Sequence, residues 1–149
     1  MIPERRVPRT TRGQWRDRLR GSATYTISRA EFIKPPFNNY TIPGIPEQLV
    51  NMSVGVSPIR LLWIDLDWQL VQNMFEVNDF TNMLPADDYG VLNLRIQFGD
   101  SNARVYLVLQ NLTNEEYSSF QSSNGSNASG AGQYPMPPFG VTGGVSVKF

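Results

Sequence analysis

The chain has no cysteine and no histidine among its 149 residues. Without thiols it can form no disulfide and offer no thiolate nucleophile, and without imidazole it also lacks the usual zinc and copper ligands. A Ser-His-Asp triad and any histidine general base are excluded for the same reason. Long apolar runs are missing too. The longest uninterrupted one is residues 105–109, against roughly 20 apolar residues for a membrane helix. The arginine-rich start lacks the apolar segment of a signal peptide, so any export signal is expected outside this chain, which reads as a piece of a longer reading frame. What the chain does have is 12 Gly and 11 Pro, a composition that disfavours helix and suits short strands joined by turns.

The formal charge of zero hides an asymmetry. Arg5, Arg6, Arg9, Arg12, Arg16, Arg18 and Arg20 crowd the beginning against only Glu4 and Asp17, whereas residues 21–149 carry six basic and eleven acidic side chains. A nucleic-acid-binding domain would need its basic patch on the folded body. This body is acidic, so nucleic acid is not an expected partner.

The end of the chain shows the organising pattern most clearly. Phe139, Val141, Val145, Val147 and Phe149 fall on odd positions, with Gly140, Thr142, Gly144, Ser146 and Lys148 between them. Successive strand residues point to opposite faces, so this segment has one apolar and one small or polar face. The same period runs through residues 21–29, 48–57, 59–71, 91–98 and 104–110. In the third of these, Leu62, Ile64, Leu66, Trp68 and Leu70 oppose Asp65, Asp67 and Gln69; Trp63 alone puts an indole on the polar side. Charges in mid-strand rule out a helix, where they would land on the apolar stripe.

The connections alternate in length. Short turns follow the second and fourth segments (Ser57-Pro58 and residues 99–102), while residues 30–47, 72–90 and 111–138 form long loops. Short turns at one end and long loops at the other, joined by strands that are apolar on one side, characterise outer-membrane barrels. A compact soluble sheet avoids repeated structureless loops beyond about 12–15 residues. The expected fold is therefore all-β: an antiparallel meander of about six transmembrane strands. Six are too few to close, since single-chain barrels start at about eight, so the meander is expected to form part of a larger barrel. Residues 1–20 are expected to be an irregular leader or not native barrel sequence, and residues 21–149 the barrel segment.

Several motifs resemble one family. Residues 42–47 (Ile-Pro-Gly-Ile-Pro-Glu), residues 87–95 with Tyr89-Gly-Val-Leu-Asn-Leu-Arg95, residues 105–117 ending in Asn111-Leu-Thr-Asn-Glu-Glu-Tyr117, and Tyr134-Pro-Met-Pro-Pro-Phe-Gly140 before the last strand are similar to the closing strands of TonB-dependent outer-membrane receptors. Phe139 stands where that family usually shows arginine. The resemblance implies the C-terminal part of a barrel of about 22 strands in the bacterial outer membrane, plugged by a domain absent from this chain. It also implies active uptake of a scarce ligand, most often a ferric siderophore, with energy from the TonB complex. Outer-membrane lipid would be one partner. The barrel-assembly machinery would be another, reading Val145, Val147 and Phe149 as the terminal signal. Two other readings stay open: a subunit of a smaller passive outer-membrane channel, and a soluble all-β binding module.

No residue set points to catalysis, a resident cofactor or a metal. Asp65 and Asp67 share a strand face as paired catalytic carboxylates would, but a polar lumen wall is the favoured account of them. Arg95 and Arg104 are candidate partners for those carboxylates or for a plug. Glu76, Asp79, Asp87 and Asp88 match no calcium-loop spacing and read as solvated loop charge. For ligand contact at the rim of the vestibule, the candidates are Asn38, Asn39, Tyr40, Phe80 and Tyr117, whose amide and aromatic groups suit planar or sugar-like ligands.

Overall fold

Period-two alternation assigns each residue a face, and in the computed structural model it does so on an open sheet. The structure describes residues 9–15, 18–122 and 132–148. Its strands are β1 (Arg9–Trp15), β2 (Leu19–Ile27), β3 (Gln48–Val56), β4 (Leu62–Gln72), β5 (Tyr89–Gly99), β6 (Ala103–Gln110), β7 (Ser118–Ser122), β8 (Gly132–Pro135) and β9 (Gly140–Val147). Seven of them form one sheet in the order β1-β2-β3-β4-β5-β6-β9, each pair antiparallel. This is the expected meander, with boundaries shifted by up to three residues.

Two differences stand out. The arginine-rich segment expected to be irregular supplies β1, which pairs with β2 from Arg9↔Tyr25 to Trp15↔Leu19. Little side-chain alternation marks that segment in the sequence. An open sheet edge nonetheless offers a full row of backbone donors and acceptors to whatever chain adjoins it. The third long loop is also not structureless: β7 and β8 form a separate hairpin within it. These strands are short, and Ser-Ser-Phe-Gln-Ser and Gly-Gln-Tyr-Pro carry no apolar alternation by which to read them.

Register stacks like with like. Leu19, Val56, Ile64, Ile96 and Leu107 are successive ladder partners, as are Gly21, Val54, Leu66, Leu94, Leu109 and Val141. These rows make an apolar face that nothing covers among the described residues: Val54 is 48% exposed, Leu66 41% and Val141 56%. Among the described residues, side chains buried below a tenth of their surface are more often polar than apolar. Asp65, Glu76, Asp79, Asn111 and Gln121 belong to that set, beside only Ala30, Val71, Ala86 and Val91. Water-soluble domains bury the apolar class preferentially. Here the arrangement is inverted, and a contiguous uncovered apolar face marks a surface made to meet something other than water.

The two ends of the sheet differ as the sequence led one to expect. Residues 57–61 and 100–102 close tight turns at one end, and the connections 28–47, 73–88 and 111–139 gather at the other. The first turn is longer than the Ser57-Pro58 corner expected. Leu61 sits at φ 76° and Leu62 N–H donates to Ile59 O at 3.2 Å, so β4 begins three residues later than the alternation suggested. Positive φ in an aliphatic residue is a strained conformation.

Candidate functional site

The polar face and the long-loop end together form the candidate site. On the polar face, Arg20 of β2 reaches across β3 to Asp65 of β4. Its Nε donates to Oδ1 at 2.8 Å and its Nη2 to Oδ2 at 2.6 Å. The residue crossed is Gly55, and a Cβ there would strike Asp65 Oδ1 and lie 2.7 Å from Arg20 Nε. The glycine is the slot through which the guanidinium passes. The same guanidinium lies 4.4 Å from the centroid of the Trp63 ring, a cation–π distance. The indole that Trp63 puts on the polar side therefore has a partner: it lies under a cation that also satisfies Asp65, 5% exposed.

Asp65 and Asp67 do not act together. Asp65 is held bidentately by Arg20, and Asp67 faces Ser53 and Asn93 across the ladder. Arg20, which lies in the segment read as a leader, is the residue that sequence reasoning missed as their partner. Gly55 beside two polar strands was the available signal.

At the long-loop end, polar side chains hold loop backbone. Thr41 N–H donates to Asn82 Oδ1 at 2.6 Å, and Asn82 Nδ2 donates back to Thr41 O at 2.9 Å, locking the first long loop to the second. Asp79, 4% exposed, accepts from Leu84 N–H at 2.7 Å and from the Thr81 hydroxyl at 3.0 Å. Asp88 accepts from Asn73 N–H at 2.8 Å, and Asp87 Oδ2 from Gln121 Nε2 at 3.1 Å. Charge that read as solvated is, for Asp79, a buried bracket. Asn111, 2% exposed, donates its backbone N–H to Asn93 Oδ1 at 3.0 Å; its side-chain Oδ1 accepts from Glu115 N–H at 2.8 Å and its Nδ2 donates to Glu115 O at 2.9 Å.

The five rim candidates fall into two clusters. Asn38, Asn39 and Tyr40 are exposed on a tight loop in which Asn39 N–H donates to Phe32 O at 2.9 Å with φ 68° at Asn39. Phe80 joins this cluster through its ring, 5.4 Å from Phe37 and 6.0 Å from Phe32. Tyr117 belongs elsewhere: it stacks on Tyr89 at 4.6 Å and borders two concavities of about 390 and 290 Å³, one beneath the β7–β8 hairpin and one against the polar face. Burial raises its phenol pKa above the ordinary tyrosine value. Of the terminal residues, Val145 and Val147 lie exposed on the apolar face of β9, and Phe149 lies outside the described residues. Among the described residues no group of carboxylates is arranged to hold a metal ion.

No protein-family model and no curated protein matches the sequence. Solved structures do match in fold. The ferric yersiniabactin uptake receptor FyuA from Yersinia pestis superposes with a TM-score of 0.70 at 18% identity, over 94% of this chain and 22% of its own. The siderophore receptor PiuA from Acinetobacter baumannii gives 0.64 at 16% identity, covering 90% of this chain and 20% of its own. The ferric-catecholate import receptor Fiu from Escherichia coli K12 gives 0.70 at 14%, covering 94% and 20%. The chain spans about a fifth of the length of these structures. In fold it is a piece of barrel wall of the kind such receptors have, an antiparallel, all-β partial barrel.

Proposed function

We propose that the chain is the C-terminal wall segment of a TonB-dependent receptor in the bacterial outer membrane, serving uptake of a ferric siderophore or similar scarce ligand. One observation carries this reading: a sheet whose uncovered face is aliphatic and aromatic, whose other face is polar with an internally paired charge, and whose long loops all lie at one end. Lipid covers the apolar face, where exposed Val, Leu and Ile would otherwise meet water at roughly 25 cal/mol per Å². The neighbours are transport receptors, and we assign the chain no catalytic role. The barrel segment, put at residues 21–149 by the sequence, takes in β1 from Arg9 as well. Asn38, Asn39, Tyr40, Phe80 and Tyr117 face the ligand vestibule, and β9 is the strand that the assembly machinery engages. The plug and its TonB contact belong to sequence outside this chain.

Disrupting the locus in its own host tests the functional half. Siderophore-supplied growth under iron limitation is expected to fall, and unchanged growth and ⁵⁵Fe uptake across a siderophore panel would refute it. Brominated detergent tests the membrane half in a Trp15→Phe background. Trp68 on the apolar face is expected to be quenched strongly and Trp63 weakly.

A further inference from the structure

Charge on the polar face is distributed unevenly. Arg20 takes both oxygens of Asp65. Arg95 stands directly across the ladder from Asp65 and is left without an ion pair among the described residues. Asp67, one row nearer the loops, forms no ion pair with it there either. Arg104, exposed like Arg95, sits one strand over and nearer the turns, between Gly99 and Ser146 in the ladder. The closest carboxylate in sequence is Asp100, whose Oδ1 already accepts from Asn102 and Ala103 N–H at 2.8 and 3.1 Å.

Both arginines border one concavity of about 470 Å³, together with Gln97, Tyr106 and Ser146. Gln97 and Tyr106 are ladder partners and form its floor between the two guanidiniums. Tyr106 lies flat because its neighbour is Gly144, where a Cβ would collide with the phenol. The charged groups bordering this space are both cations; Gln97, Tyr106 and Ser146 bring amide and hydroxyl donors, and Val108 and Val145 complete the lining. Guanidinium groups match the two oxygens of a carboxylate geometrically.

We infer that Arg95 and Arg104, floored by Gln97 and Tyr106, form an oxyanion-binding station on the polar face, toward the turn end of the sheet, that takes carboxylate groups. The assignment rests on the reading that this face lines a lumen. It goes beyond that reading in placing a second ligand-binding station away from the loop rim. A carboxylate can reach it on a small molecule in transit or on an acidic side chain of polypeptide filling the lumen.

Titration of the full chain in brominated detergent micelles tests this, with citrate in one arm and a glutamate-rich peptide in the other. Binding in at least one arm is expected to weaken as salt rises. Arg95→Gln and Arg104→Gln should each raise Kd at least tenfold, while Arg60→Gln, in the neighbouring turn and outside the lining of the concavity, leaves it unchanged. The Arg95→Lys/Arg104→Lys double variant keeps the charge and should bind with intermediate affinity, which separates loss of the station from loss of fold. Citrate binding marks a transit site; binding of the peptide alone marks a seat for lumenal polypeptide. Equal affinity in wild type and the double glutamine variant, or binding in neither arm, overturns the station. Trp68 quenching in the same sample reads the wall assignment separately: quenching without binding sinks the station alone.

Discussion

The sheet and its loop end reach order by different routes. In the sheet, backbone ladders set every neighbour, and side chains need only alternate. At the loop end the only ladder among the described residues is the short β7–β8 hairpin, and single side chains hold much of the rest. Among the described residues, seven non-glycine residues have positive φ, and six of them are asparagines: Asn39, Asn73, Asn78, Asn82, Asn111 and Asn114. Asparagine tolerates the left-handed region and can bond to nearby backbone while there. The exception, Leu61, lies in a tight turn at the other end. A wall built on periodicity should therefore tolerate like-for-like exchange, whereas the loops should depend on individual amides.

The largest expected effect sets one face of the wall against the other. Leu66→Arg places a charge on the apolar face and should cost roughly 2–4 kcal/mol near the membrane midplane. Asp67→Arg, one residue along on the polar face, should be mild. Denaturant unfolding in lipid vesicles measures both, and equal losses would remove the distinction between the faces.

Two glycines of the sheet sharpen it further. Gly55→Ala pushes a methyl into the path of Arg20, and overpacking of this kind costs about 1–3 kcal/mol. Gly143→Ala meets its nearest neighbour only at 3.6 Å and should be nearly silent in the same melts. If the two variants melt alike, the slot has no energetic role.

In the loops, Asn82→Ala removes two hydrogen bonds to Thr41, about 0.5–1.5 kcal/mol each, at a residue with φ 55°. Asn82→Gly relieves the backbone but not the lost bonds, so it should recover only part of the loss. Limited proteolysis of the first two long loops is the readout, with sheet unfolding expected to stay constant.

The smallest effect is pH-dependent. Amides of Asn102 and then Ala103 hold the Asp100 carboxyl below its ordinary pKa. They favour the charged form, so the turn's share of stability is present above the ordinary carboxylate range and lost as pH falls through the lowered value. Protection of the Asn102 and Ala103 amides should fall on acidification in the wild type and stay flat in Asp100→Asn.

Much of the wall was legible because its information is local. Leu62, Ile64, Leu66, Trp68 and Leu70 announce a face without reference to any other strand. The loop residues carry no such period. Asn38, Asn39 and Tyr40 were visible as polar and aromatic groups, yet their grouping with Phe80, and the separate packing of Tyr117 on Tyr89, depend on which loops meet. Asp79 read as solvated because nothing nearby foretells that Leu84 N–H and the Thr81 hydroxyl enclose it. The β7–β8 hairpin escaped notice since polar strands on a loop have no face to declare.

By itself, then, the amino-acid order determined the strand period, the sidedness of the sheet and the alternation of turns and loops, since each follows from neighbours a few residues apart. Which carboxylate Arg20 holds, which arginines remain unpaired and how the loops interlock were decided only in three dimensions. Those pairings join residues 45, 41 and 34 positions apart, and strand register for the first and the meeting of loops for the others, not local preference, bring them within reach.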